Sequence, residues 1–254
     1  MKMLGAWLLA LLALVQPAWA ENPIGHPAEC HLAEHKIERD FPLPRVARAI
    51  AAKKLSILVV GAGSSSLPGP NGAKRAFPAR LQMALGEKLP GVAVTVATDV
   101  KSRRTAGDMV KTLGAALTAA KPALMIWQTG TVDAMLAMDP DRFSAMLDQG
   151  INMAHSAGAD VVLVNSQYSP RTESMIALGT YGENLRWVAV QQEVPVFDRF
   201  NIMKSWADLR IFDLQHATNK LDIAERIHDC IGLMLADLVI EGAKPSEPPA
   251  GAGR

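Results

Sequence analysis

Short apolar runs alternate with longer amphipathic segments along most of this chain. The clearest run, Leu55 to Gly61, is continuous and ends at glycine, which is typical of a strand buried in a parallel sheet. The apolar runs therefore predict five strands, at residues 55–61, 92–97, 123–128, 161–165 and 194–197.

Apolar residues recur at helical spacing between these runs. Proline or glycine ends several of the segments, as Pro90 and Gly158 do. Strands that alternate with helices indicate a parallel sheet covered on both faces. We expect an α/β fold with a single three-layer, flavodoxin-like domain, whose ligands bind at the carboxyl ends of the strands. The predicted helices are residues 45–53, 77–89, 106–120, 141–157, 174–192 and 221–240.

The first twenty residues have the features of a cleaved signal peptide. Lys2 provides a positive start, residues 4–15 are apolar but too short to span a bilayer comfortably, and Ala18-Trp19-Ala20 is a small-x-small cleavage site. We expect export, cleavage after Ala20 and a periplasmic or secreted protein; a retained membrane anchor is the alternative. The predicted organisation is a signal peptide (1–20), an arm with a short helix (21–54), the domain (55–241) and a disordered tail (242–254).

Charge and hydropathy exclude some classes of partner. The chain has 26 basic and 25 acidic residues, and cleavage removes one basic residue, Lys2. The mature chain therefore has no basic excess that would favour nucleic acid. No later apolar stretch predicts a membrane span. We expect no nucleic-acid partner, no stable membrane span after cleavage, and a monomer.

The two cysteines, Cys30 and Cys230, both remain after cleavage. In an oxidising compartment they predict one disulfide between the N-terminal arm and the last helix. Two buried free thiols are the alternative. His26, His31 and His35 surround Cys30, but the cluster lacks a regular four-ligand zinc spacing. We therefore expect neither a metal nor a cofactor.

Two separated segments could carry nucleophilic chemistry. Gly61-Ala62-Gly63-Ser64-Ser65-Ser66 follows the first strand, and Asp213 and His216 precede the last helix. A serine on a glycine-loosened turn can be an exposed nucleophile, with a histidine as its base and an aspartate to orient the ring. Each segment alone is also compatible with a solvated turn. A dinucleotide-binding loop is disfavoured because Ser66 occupies the third glycine position.

Several segments, in this order, resemble the SGNH/GDSL hydrolases, a superfamily of esterases, lipases and carbohydrate deacetylases. The resemblance covers about residues 55–240, and Phe77–Leu81 and Val196–Phe200 resemble its spacer segments. The matching blocks are Gly63-Ser64-Ser65 to Gly-Asp-Ser, Gly130-Thr131-Val132-Asp133 to Gly-x-Asn-Asp, and Asp213-Leu214-Gln215-His216 to Asp-x-x-His.

The resemblance implies a mechanism and a set of site residues. Ser65 would be the nucleophile, His216 its base and Asp213 the residue that orients the imidazole. In the family, the serine N–H, a second-block glycine and the third-block asparagine stabilise the oxyanion. Here Arg103 occupies the glycine position and Val132 the asparagine position.

Other residues could supply the missing oxyanion donor. The candidates around the oxyanion and substrate are Ser65, Ser102, Arg103, Gly130 and Thr131, with Gln128 as a further possible donor. Residues 101–104 are alternatively a solvated basic loop. Loss of one donor costs roughly 3–4 kcal/mol of transition-state stabilisation.

The leading hypothesis is an exported serine esterase that hydrolyses a small-molecule or glycan acyl ester, O-acetyl esters included, through an acyl-serine intermediate. The altered oxyanion positions leave a second hypothesis open, a catalytically impaired binding or assembly protein. An O-acyltransferase that uses the same triad is the third.

Overall fold

A computed structural model describes residues 28–31, 41–215 and 220–245 of the chain. Several sequence predictions lie outside these residues. They are the signal peptide with its cleavage site after Ala20, the arm residues His26 and His35, the base His216, and the tail beyond residue 245.

Within the described residues, five parallel strands form one sheet in the order β2-β1-β3-β4-β5. Every residue of the third and fourth strands is buried, because helices cover both faces of the sheet. The predicted flavodoxin-like α/β fold is confirmed. The strands are β1 Lys54–Gly61, β2 Ala93–Val100, β3 Leu124–Gln128, β4 Asp160–Val164 and β5 Val196–Phe197.

Helices pack on the two faces of the sheet around two separate apolar cores. The described helices are α1 Ala28–His31, α2 Pro44–Ala51, α3 Gly72–Arg75, α4 Phe77–Lys88, α5 Ala106–Ala120, α6 Thr131–Met135, α7 Pro140–Ser156, α8 Pro170–Met175, α9 Leu178–Gln191, α10 Arg199–Asp208 and α11 Lys220–Gly242. One face carries α2, α4, α10 and α11, and the other carries α5, α7 and α9. None of these helices is both long and apolar enough to cross a bilayer.

Two elements differ from the sequence prediction. The single helix expected over residues 174–192 is interrupted, because Ile176 adopts an extended conformation between α8 and α9. The helix α10 was not predicted. It begins where the side chain of Asp198 accepts a hydrogen bond from the backbone N–H of Asn201, a typical N-cap. This helix places Arg199 beside the carboxyl ends of β1 and β3.

The predicted disulfide is confirmed. Cys30 in α1 and Cys230 in α11 are bonded, with 5.2 Å between their Cα atoms and both residues buried. The alternative of two free thiols is therefore wrong. The bridge fastens α1 to the longest described helix, which itself packs along α4.

Candidate active site

The turn after β1 carries the predicted nucleophile. Residues Gly63–Ser65 form a short 3-10 turn at the carboxyl end of this interior strand. Gly61, the last residue of β1, lies directly against Ser65, and a Cβ at that position would overlap the Ser65 hydroxyl. Ser65 is 1% exposed, so the serine expected to be exposed is buried in this conformation. Its backbone N–H donates to the carbonyl of Ala62 at 2.9 Å.

Ser65 belongs to a hydrogen-bonded cluster of four residues, which we call the serine clamp: Ser64, Ser65, Gln128 and Arg199. The Ser65 hydroxyl donates to Gln128 Oε1, and Gln128 Nε2 donates to the Ser64 hydroxyl. Arg199 Nη1 donates to the Ser64 carbonyl at 2.9 Å and to Gln128 Oε1 at 3.1 Å. The clamp joins the ends of β1 and β3 to the start of α10.

Sequence reasoning did not identify Arg199 as a functional residue. It lies within the spacer-like segment Val196–Phe200. The signal that the sequence offered was a charged residue within a largely apolar segment. The side chain is almost completely buried, and burial lowers the pKa of its guanidinium to about 9. Arg199 therefore keeps its positive charge at neutral pH.

The second block has the backbone shape that a glycine would adopt. Arg103, at the glycine position, has φ +61°, in the left-handed region. Ser102 lies against the nucleophile turn, since a Cβ built on Gly63 would be 3.2 Å from its hydroxyl. Residues 101–103 are exposed, as the alternative of a solvated loop predicts, but Arg104 is buried and pairs with Asp99 at 2.9 Å.

The third block follows β3 and begins α6. Gly130 is the N-cap residue with φ +98°, a conformation that favours glycine. Asp133 is buried, and its two carboxylate oxygens accept from the Ala106 N–H at 3.0 and 3.1 Å. Burial raises the pKa of Asp133, and the Ala106 N–H opposes that rise. This contact fastens the third block to the helix that follows the second.

Val132 and Thr131 differ in what they offer to an oxyanion. Val132 packs at the edge of one apolar core and has no polar side-chain atom. The hydroxyl of Thr131 is buried and has no hydrogen-bond partner among the described residues. A buried hydroxyl without a partner is uncommon in native proteins, so Thr131 has an unused donor beside the altered position.

Asp213 is exposed and lies in the connection before α11. Its Oδ1 accepts from the backbone N–H of Gln215 at 3.0 Å, which fixes the local turn. His216 lies outside the described residues. The roles predicted for Asp213 and His216 therefore stay predictions.

Another histidine, His228 in α11, is positioned near the clamp but is unsuited to be a base. It is 4% exposed. Its Nδ1 accepts from the Phe77 N–H at 2.9 Å, so the ring is neutral and its proton is on Nε2. Burial, together with the charge of Arg199, lowers the pKa of His228 to about 3.

Two cavities lie beside the serine clamp, one against the nucleophile turn and one against Arg199. One, of about 520 Å³, is bordered by Ser65 and Ser66 and lined mainly by apolar residues of the α3–α4 region and the edge strand β2. The other, of about 380 Å³, is lined by Arg199, Asp213 and His228 together with apolar residues of α11. The turn can therefore be approached from the β2 side, while the Asp213 segment borders the second cavity, which does not include the turn.

The described residues contain no group of three or more histidine, cysteine, aspartate or glutamate side chains that could hold a metal ion. Cys30, the centre of the predicted histidine cluster, is committed to its disulfide.

Comparison with known proteins bears on both the fold and the family. The model of the Non-GDSL lipase-like family matches residues 29–245. No curated protein matches the sequence. Solved structures with the same fold include the TesA structure, with 22% identity and a TM-score of 0.55, covering 72% of this chain and 99% of that one.

Two further structures with this fold are described as enzymes. A lipase/acylhydrolase from Enterococcus faecalis has 17% identity and a TM-score of 0.57, covering 76% of this chain and 100% of that one. Axe2, an acetylxylan esterase from Geobacillus stearothermophilus, has 15% identity and a TM-score of 0.55, covering 75% and 93%. The resemblance to SGNH/GDSL hydrolases is thus confirmed, and together with the family match these findings support an ester hydrolase in general terms.

Proposed function

The chain belongs to the Non-GDSL lipase-like family, and from this premise we propose that it is an exported serine esterase that hydrolyses an acyl ester. The observation that carries the proposal is the position of Ser65, on a tight turn at the carboxyl end of the interior strand β1 and hydrogen-bonded to Gln128, two residues before the third block. O-acetyl esters of glycans and small-molecule esters are the substrate classes we favour. The acetylxylan esterase among the structures of this fold is consistent with the first class.

The proposed reaction has two steps. The Ser65 Oγ attacks the ester carbonyl carbon while His216 takes the hydroxyl proton, and Asp213 orients the imidazole. The C–O bond to the alcohol then breaks, His216 returns the proton to the alcohol, and an acyl-serine remains. Water, activated by His216, hydrolyses this intermediate and frees Ser65.

The resting conformation has to change before attack. The Ser65 hydroxyl donates to Gln128 Oε1, an amide oxygen that is not a base at neutral pH. Ser65 therefore has to turn its hydroxyl proton away from Gln128 Oε1 and towards His216 before attack.

The oxyanion donors in this proposal differ from those of the family pattern. The backbone N–H groups of Ser65 and Arg103 remain, but the former donates to Ala62 in the resting state. Ser102 and Thr131 offer hydroxyls near the turn and third block, and Val132 offers no donor. Because one donor is worth about 10²–10³ in rate, we expect slow but measurable turnover.

The test is covalent labelling with a fluorophosphonate probe combined with hydrolysis of p-nitrophenyl acetate. Wild type is compared with Ser65→Ala and His216→Ala, both of which we expect to lose labelling and hydrolysis above background. The matched control is Ser66→Ala. Ser66 borders the same cavity, but its hydroxyl makes only a 3.4 Å bond to the Leu67 carbonyl. Equal rates for wild type and Ser65→Ala would overturn the proposal.

A catalytically impaired binding protein is the second candidate. The burial of Ser65, the engaged Ser65 N–H and the apolar Val132 favour it. In that case wild type would not label even at high probe concentration, although the folded protein would bind an acylated glycan. Rapid labelling that requires His216 would exclude this candidate.

Export is supported by the Cys30–Cys230 disulfide, because structural disulfides persist in oxidising compartments. We propose that the protein is periplasmic or secreted after cleavage at Ala20. N-terminal sequencing of the protein from the periplasm or culture medium should begin at Glu21. A retained Met1 would contradict this.

A further inference from the structure

Arg199 is a buried cation whose charge is not balanced by an ion pair. None of the ion pairs among the described residues includes it, and its hydrogen bonds go to a carbonyl and an amide oxygen. Its Nε is buried and has no hydrogen-bond partner there. A buried charge without a counterion lowers stability, so a purely structural role would favour an uncharged residue at this position.

The charge of Arg199 and the nucleophile share one hydrogen-bond acceptor. Arg199 Nη1 and the Ser65 hydroxyl both donate to the same atom, Gln128 Oε1. Both Ser65 and Arg199 are 1% exposed, so little water lies between them to screen the charge. In such surroundings a positive charge favours negative charge on a neighbouring group more strongly than it would in water.

The orientation of Gln128 is fixed by its partners. A guanidinium can only donate, so the Gln128 oxygen has to face Arg199, and Nε2 then faces the Ser64 hydroxyl. If the amide were reversed, its N–H groups would point at the guanidinium. Arg199 thus determines which Gln128 atom receives the Ser65 hydroxyl.

We propose that Arg199 is a positioning residue that, through Gln128, stabilises the negative charge that develops at Ser65 during acyl transfer and thereby offsets the donor that Val132 lacks. This inference rests on the proposed esterase function. In the step concerned, the Ser65 Oγ–carbon bond forms, the carbonyl electron pair moves onto its oxygen, and the hydroxyl proton goes to His216. The new oxyanion is then two covalent bonds away from Oγ.

The decisive variant is Gln128→Glu, which is nearly isosteric but places a carboxylate between Arg199 and Ser65. An electrostatic role predicts that fluorophosphonate labelling of Ser65 slows about tenfold or more, and that kcat for p-nitrophenyl acetate falls with KM little changed. The melting temperature should stay equal or rise, because Arg199 gains an ion pair. A merely structural role predicts unchanged labelling in this variant.

Two substitutions of Arg199 provide an independent comparison. Arg199→Lys keeps the charge and should retain more labelling than Arg199→Met, which fills similar space without charge. Arg45→Met is the matched control. Arg45 pairs with Asp160 at the amino end of β4, whereas Ser65 lies at the carboxyl ends of the strands, so loss of this ion pair should not affect labelling.

The outcomes separate this inference from the function on which it rests. If wild type labels no faster than Ser65→Ala, the esterase proposal fails and the inference fails with it. If wild type labels but Gln128→Glu labels equally fast or faster, only the inference is overturned. Equal labelling of folded Arg199→Lys and Arg199→Met would overturn it as well.

Discussion

At the scale of single residues, the two departures from the family pattern have opposite consequences. Arg103 has a left-handed backbone that disfavours residues with a Cβ by about 1–2 kcal/mol. The loop therefore has a glycine-like backbone conformation although the glycine is absent. Val132 changes the chemistry instead, since its side chain packs on the core edge and cannot donate. In the proposed oxyanion site, position 103 thus has a glycine-like conformation, while position 132 offers no donor.

Val132→Asn should restore this donor. Because one oxyanion donor is worth about 10²–10³ in rate and the surroundings are not shaped for the amide, we expect kcat for p-nitrophenyl acetate to rise about tenfold. The loss of apolar packing should lower the free energy of unfolding by about 1 kcal/mol. Val132→Leu, similar in size to Asn but without a donor, is the control. An Asn variant no faster than the Leu variant would show that position 132 does not face the oxyanion.

At the scale of elements, α4 and α11 are joined by a side chain that caps a helix start. The first N–H groups of a helix have no partner within the helix. The imidazole of His228 in α11 accepts a hydrogen bond from the N–H of Phe77, the first residue of α4. The imidazole also stacks on the Phe77 ring, with 5.8 Å between the ring centroids. The neutral ring is therefore required for the packing of these two helices.

This contact predicts that the protein loses stability in acid. The folded-state pKa of His228 is about 3 against an ordinary value of 6.5, so the unfolded state binds one more proton between these pH values. The free energy of unfolding should fall by about 1.4 kcal/mol for each pH unit below 6.5, from this residue alone, down to about pH 3. Stability above pH 6.5 is unaffected by this proton.

Urea unfolding at pH 7, 6 and 5 provides the measurement. His228→Asn keeps an acceptor near the Phe77 N–H but cannot titrate. It should be less stable than wild type at pH 7, because the ring is lost, and the gap should narrow as the pH falls. Parallel profiles for the two proteins would contradict the assignment.

The elements that the sequence predicted well are those with one dominant pattern. Continuous apolar runs identified β1, β3 and β4, because strands covered on both faces contain little else. The edge strand β2 has no buried residue and extends to Val100, beyond its predicted end at residue 97. The break at Ile176 was missed because apolar spacing continues through it. The helix α10 was missed because its buried residues, Ile202, Met203 and Trp206, lie in a short segment whose start depends on the Asp198 cap.

At the scale of the whole molecule, topology explains why part of the site was predictable. Parallel strands with known order bring the ends of β1 and β3 to one rim, so Ser65 and the third block had to be neighbours. The serine clamp could not be predicted in the same way. It depends on the side-chain conformations of Gln128 and Arg199, residues 71 positions apart in sequence, and on a helix that the sequence did not indicate.

The disulfide acts on the whole chain, since it closes a loop between residues 200 positions apart. Such a closure mainly restricts the unfolded state, and the chain-entropy model assigns it about 4–5 kcal/mol. The double variant Cys30→Ala/Cys230→Ala should therefore melt about 10–15 °C lower than the oxidised wild type. Reduced wild type is the matched control and should melt near the double variant, since both lack the bridge and keep α11 in place. Labelling of Ser65 at low temperature should be unchanged, because the bridge joins α1 to α11 and contacts neither Ser65 nor Arg199. A double variant as stable as oxidised wild type would mean that strain in the folded protein cancels the entropic gain.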